Sequence, residues 1–81
     1  MKKIYQNYLC DAQRLGRRIH TLMGYLKLCI DEDEAKRLER RIYLLRVERY
    51  ELKRDLKDIE KYLTLEELKE IQDTFTENEC A

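Results

Sequence analysis

Tyr43, Val47 and Tyr50 recur at four- and three-residue spacing, with Arg40, Arg46 and Arg54 set around them. Tyrosine and arginine bury large areas while keeping hydrogen-bonding capacity, and both are enriched among the residues that dominate protein–protein contacts. This stripe predicts a helix face that docks on another protein. The competing reading is that a third helix or a second copy of the chain covers it as ordinary core. Nucleic acid is a further candidate.

A second constellation is basic. Arg14, Arg17 and Arg18 form one group, and Lys36, Arg37, Arg40 and Arg41 form another that a hairpin would bring towards the first. Together they could form a band for phosphates. Glu32, Glu34 and Glu39 interleave with the second group. Lysine and arginine three or four residues from glutamate form surface pairs worth a few tenths of a kcal/mol, so a solvated face is the first expectation.

Other residues carry less. Arg49 falls on an otherwise apolar seam, where its stem can lie along the seam and its head reach solvent. Alternatively it fixes register opposite Ala12, served by Asp11 and the Tyr8 hydroxyl. Ala12, Gly16, His20 and Gly24 line up at four-residue spacing. That line reads as a surface histidine among tolerated glycines, or as a strip that admits close packing. Cys10, Cys29 and Cys80 show no CxxC spacing, and His20 is the one histidine. No metal site, no disulfide framework and no cofactor is expected. There is no serine, no glycine-rich phosphate loop and no HExxH. The chain is read as non-enzymatic.

These residues must be positioned by helices. Met1, Tyr5, Tyr8, Ala12, Leu15, Ile19, Leu22, Leu26 and Cys29 alternate at four and three, which marks a coiled-coil-like seam. Leu9, Gly16, Met23 and Ile30 widen it. Continuing that phase would bury Asp33 and Lys36. A new seam instead starts at Ala35 and runs through Leu38, Ile42, Leu45, Arg49, Leu52, Leu56, Ile59 and Leu63. The slip falls at Asp31-Glu32-Asp33-Glu34, where Asp31 and Glu34 suit a helix N-terminus as a loose capping box. One unbroken helix through this run is the alternative, and the slip decides for a hairpin. Thr64 and Glu67 form a second capping box, with Leu63 and Leu68 as its hydrophobic staple.

The expected fold is all-α: an antiparallel coiled-coil-like hairpin with helices over about 3–29 and 32–62, a short third helix over about 65–74, and a frayed tail at 76–81. Residues 1–75 form one domain. The third helix, with Leu65, Leu68, Ile71 and Phe75 as its apolar side, should shelter the end where Ile4, Tyr5 and Leu9 meet Leu56, Ile59 and Leu63. Leu22, Met23, Leu26 and Ile30, with Leu38, Ile42 and Leu45, would be left with an open side. Homodimerisation into a bundle is expected to close it.

Composition agrees with long amphipathic helices, since 42 % of residues are charged and proline is absent. The 17 basic and 17 acidic groups cancel overall. Residues 1–30 nevertheless carry about +5 and residues 63–81 about −5, which suits a chain folded back on itself or copies paired head to tail. Three unpaired cysteines, early charge at the N-terminus and no apolar run of membrane-spanning length point to the cytoplasm of a cell or a host. In type the chain resembles accessory regulators of bacteria and phage-encoded inhibitors of host defence. The functional expectation is a small helical regulator or inhibitor. A nucleic-acid-associated regulator and a self-assembling scaffold are the alternatives.

Overall fold

A computed structural model describes residues 1–75. Three helices follow one another, α1 (Lys2–Leu28), α2 (Glu32–Glu60) and α3 (Leu65–Thr74). The tail expected at 76–81 lies outside the described residues.

The phase slip becomes a turn of three residues. Cys29 and Asp31 both take extended backbone, with ψ of 129° and 122°, and no described residue has positive φ. Reversal therefore needs no glycine. The Asp31 carboxylate accepts the Asp33 N–H at 3.1 Å and so caps α2. That bond goes to the second helical residue rather than to Glu34, which replaces the expected box with a single-sided cap. Glu32, Asp33 and Glu34 fill the first turn, where the helix dipole favours carboxylates. Ile30 does not brace the entry; it is 98 % exposed.

At the other end α2 stops at Glu60, two residues before the expected boundary. Tyr62 and Leu63 donate to the carbonyls of Ile59 and Glu60 at 2.9 and 3.2 Å, so the chain tightens into three-residue turns. The second capping box is complete. Thr64 Oγ1 accepts the Glu67 N–H at 3.1 Å, and the Thr64 N–H donates to Glu67 Oε1 at 3.2 Å. Leu63 is buried and Leu68 half-buried in one cluster, which supports the same entry.

Both seams face each other across the hairpin. Tyr5, Ala12, Ile19 and Leu22 of α1 are buried, as are Ile42 and Leu56 of α2. Of the two seams, Met1 alone is exposed. The buried residues fall into two clusters. Tyr5, Ala12, Leu56, Leu63 and Ile71 form one, with Tyr8, Leu9, Ile59 and Leu68 packed on it. Ile19, Leu22 and Ile42 form the other, nearer the turn. Only the first receives α3, through Ile71, which is fully buried. Leu65, expected on the apolar side of α3, is exposed instead, and so is Ile4. A ten-residue helix reaches about 15 Å and α1 about 40 Å, so the turn-side half of the hairpin stays a two-helix structure.

Arg49 sits between the two clusters. Its Nε donates to the Ala12 carbonyl at 3.3 Å, so neither expected partner, Asp11 or Tyr8, is used. The guanidinium lies against Gly16, where an added Cβ would come within 3.2 Å of Arg49 Cζ and Nη2. Gly24 meets nothing within 4 Å of the same construction. The two glycines thus have different meanings: one receives an arginine and the other is open surface.

Charge also holds the ends together. Lys2 pairs with Glu70 at 2.7 Å, joining the basic start to acidic α3. The Tyr5 hydroxyl donates to Glu60 Oε1 at 2.7 Å. Burial, then that bond and the Glu60 charge, push the phenol up to about 12.

Two outcomes follow from these contacts. Since the fold holds the protonated phenol, stability from Tyr5 is complete below pH 10.0 and drains away as pH rises towards about 12. Urea unfolding at about pH 9 and about pH 11 should show a larger loss for the natural chain than for Tyr5→Phe. Gly24→Ala should stabilise by up to about 1 kcal/mol, because only helix propensity changes there. Gly16→Ala should gain less, and the shortfall should vanish in an Arg49→Ala background.

Candidate functional site

A helix that buries one stripe presents the rest to solvent or to a partner. In α2 the buried side runs through Leu38, Ile42, Leu45, Leu52, Leu56 and Ile59. Tyr43, Val47 and Tyr50 follow the same spacing but emerge on the side away from α1. Tyr43 is 65 % exposed and Tyr50 68 %. Val47 is less open but still exposed. The reading that the third helix covers this stripe is corrected here, because α3 packs at the far end with Tyr5, Leu56 and Leu63.

The arginines divide. Arg46 donates to Met23 Sδ at 3.3 Å and leans on α1. Arg40 and Arg54 are exposed and make no hydrogen bond or ion pair with any described residue. Arg40 and Arg46 have no carboxylate three or four residues away in either direction. Arg54 has Glu51 and Asp58 in range, yet Asp58 pairs with Lys61 at 3.5 Å. Among the described residues Arg40 and Arg54 therefore stand without an ion pair near the aromatic centre, with Glu51 on the same side of the helix.

Two shallow grooves continue the face towards α1. Tyr43 and Arg46 line one with Met23, Leu26, Glu39 and Ile42. Tyr50 and Arg46 line the next with Ile19, Arg49 and Lys53. Lys53 and Lys57 also border Tyr50 and Arg54, two cations the stripe spacing does not single out. Their position relative to Tyr50, at three and seven residues on, was the available signal.

The alternative basic band is less unified. Arg14 lies 3.6 Å from Asp11 and lines a groove with Leu15, Glu48 and Leu52. Arg17 and Arg18 are exposed on α1. Lys36, Arg37, Arg40 and Arg41 are exposed on α2, the last three lining a groove with Glu34, Leu38 and Leu44. Among the described residues no ion pair joins this second group to Glu32, Glu34 or Glu39. The expected surface pairs are not formed, but the glutamates still dilute the positive field.

Most of the surface expected to meet a second copy is used within the chain. Leu22 and Ile42 are buried with Ile19, and Met23, Leu26, Leu38 and Leu45 pack against them. What stays open is the rim of that cluster, with Leu28 and Ile30 beyond it. His20 is exposed. Among the described residues no three His, Cys, Asp or Glu side chains are placed to hold a metal ion. Cys29 keeps a free, half-buried thiol. Cys10 is disulfide-bonded, which corrects the expectation of three unpaired cysteines. No described helix is long and apolar enough to cross a membrane.

No family model matches the chain, and neither a curated protein nor a solved structure matches it.

Exposure gives a direct expectation for stability. Tyr43→Ala combined with Tyr50→Ala should shift unfolding by no more than about 1 kcal/mol, as surface substitutions do. Ile42→Ala, buried in the turn-side cluster, should cost about 2–5 kcal/mol and unfold much of the chain. Denaturant midpoints of the two variants check this contrast.

Proposed function

We propose that the chain is a non-enzymatic protein-binding module, a small helical regulator or inhibitor that docks Tyr43, Val47 and Tyr50, flanked by Arg40, Arg46 and Arg54, on a protein partner. The supporting observation is an aromatic stripe left exposed by the described helices, bordered by two arginines without a partner among the described residues. Large aromatics held out in water on a rigid helix are available for burial at little ordering cost. The hairpin positions them, and the opposite side of α2 is committed to α1.

A nucleic-acid role through Arg14, Arg17, Arg18, Lys36, Arg37, Arg40 and Arg41 is the second reading. What favours it is that Lys36, Arg37 and Arg41 form no ion pair among the described residues. Overall charge balance and the glutamates in both grooves weigh against it. Self-assembly is the third: a homodimer closing the rim of Met23, Leu26, Leu38 and Leu45 with Ile30 would complete a bundle. The cytoplasm is the proposed setting on the free thiol of Cys29, and the Cys10 disulfide is the observation against it.

The test is capture from extract of the source cells on immobilised full-length chain, read by mass spectrometry. A protein retained by the natural chain should be lost on Tyr43→Ala with Tyr50→Ala and kept on Arg37→Glu with Arg41→Glu. Retention by the tyrosine variant would overturn the assignment of the face. Recovery of nucleic acid that falls off steeply with salt would favour the second reading.

A further inference from the structure

The groove between α1 and α2 lined by Ile19, Arg46, Arg49, Tyr50 and Lys53 holds about 350 Å³ and carries three cations and no carboxylate. Arg46, Arg49 and Lys53 stand on successive turns of one helix face, three and four residues apart. None of the three has Asp or Glu three or four residues away in either direction, so like charge meets like charge along the row. Such neighbours destabilise a helix rather than support it. The other wall brings no relief. Asp11 is the one acidic residue among positions 1–30, and it lies 3.6 Å from Arg14 in a separate groove with Glu48. Along the same side of α2 the nearest carboxylates are Glu39 and Glu60, each seven residues, about 10 Å, beyond the ends of the row. Glu60 already accepts the Tyr5 hydroxyl. Glu51 and Asp58 share the side of Arg54, away from α1. By contrast, the grooves at Arg41, Arg14 and Tyr43 each include a carboxylate.

Arg49 gives this groove a fixed donor. It is half-buried, its Nε donates to the Ala12 carbonyl at 3.3 Å, and its guanidinium occupies the room that Gly16 leaves. A guanidinium has five N–H donors. Only Nε–H has an acceptor among the described residues. The remaining donors are held in place before a ligand arrives, which lowers the ordering cost of binding. Arg46 and Lys53 flank it, exposed and without an ion pair among the described residues.

We propose that this groove binds an oligophosphate, a chain of two or three linked phosphates, free or as the phosphate end of a nucleotide. Arg46 to Lys53 covers about 10 Å of helix, which suits a chain of phosphates better than one tetrahedral anion. Arg49 offers a planar fork at the middle of the row, and Lys53 a point charge at one end. The site stands independently of the docking reading, although Arg46 and Tyr50 border both.

Titration calorimetry of the full-length chain with inorganic triphosphate, at constant ionic strength, should show saturable binding of one anion per chain. Arg46→Gln with Lys53→Gln should weaken it about tenfold or more, because two charge-assisted contacts are lost. Arg37→Gln with Arg41→Gln removes the same charge from the groove that contains Glu34, and should change affinity less than about twofold. Circular dichroism checks the fold, and Lys53→Gln alone serves if the first pair loses helicity. Adenosine triphosphate separates the two sources. Tighter binding than inorganic triphosphate, lost on Tyr50→Ala, assigns a nucleotide, and equal binding assigns the free oligophosphate. Absence of saturable binding overturns the proposal. So does equal weakening by both double variants, which would reduce the effect to net charge. Binding of a short DNA strand through Arg46 and Lys53, with none of triphosphate, overturns it in favour of nucleic acid.

Discussion

A hairpin of two helices can bury only one side of each, and the third element is too short to cover the rest. α1 has 27 residues and α2 has 29, while α3 has ten. The cover therefore runs out partway along the rod. At the covered end Ile71 closes a cluster built from both long helices, and Lys2, Glu70, Tyr5 and Glu60 add polar ties around it. Towards the turn, Ile19, Leu22 and Ile42 must make do with each other and with half-buried neighbours. The two ends of one seam are unlike because their third wall differs.

Arg49 occupies the junction between those ends. A charged side chain on an apolar seam needs a place for its head group, since burying it unpaired is costly. Gly16 provides the space and the Ala12 carbonyl provides the acceptor. An alanine at 16 would meet the guanidinium inside ordinary contact distance, so the glycine is tied to the arginine rather than to helix bending. Such a polar layer favours one alignment of α1 against α2, because sliding by a heptad would bring the guanidinium over a different side chain.

The exposed side of α2 follows from the same geometry. Among the described residues α1 borders Tyr43 and Tyr50 only at the edge of shallow grooves, and Arg40 and Arg46 find no carboxylate at helical spacing. Elsewhere on the surface the usual exchange does occur, as with Arg14 and Asp11 or Lys61 and Asp58. What separates this face from the remaining solvated surface is the exposed aromatic pair, Tyr43 and Tyr50, beside Arg40 and Arg46. Charge balance over the whole chain says little about any one patch. One ion pair, Lys2 with Glu70, joins the basic start to acidic α3.

Local order was legible in the residues themselves. The 4,3 rhythm marked both long helices, the phase slip at Asp31 marked the turn, and Thr64 with Glu67 marked the start of α3, because each depends on neighbours within a few residues. The spacing of Tyr43, Val47 and Tyr50 likewise placed them on one side of a helix. Whether that side would be core or surface was not legible, since the same apolar stripe suits either. Its exposure was decided by the reach of α3 and by which end of the hairpin it covers. The same holds for Ile4, Ile30 and Leu65, apolar residues that the packing left outside, and for Arg49, whose acceptor is a backbone carbonyl of another helix. Sequence by itself determined where helices begin, end and change phase. Tertiary structure decided what is buried, because burial depends on how far a neighbouring element extends, and no residue encodes that alone.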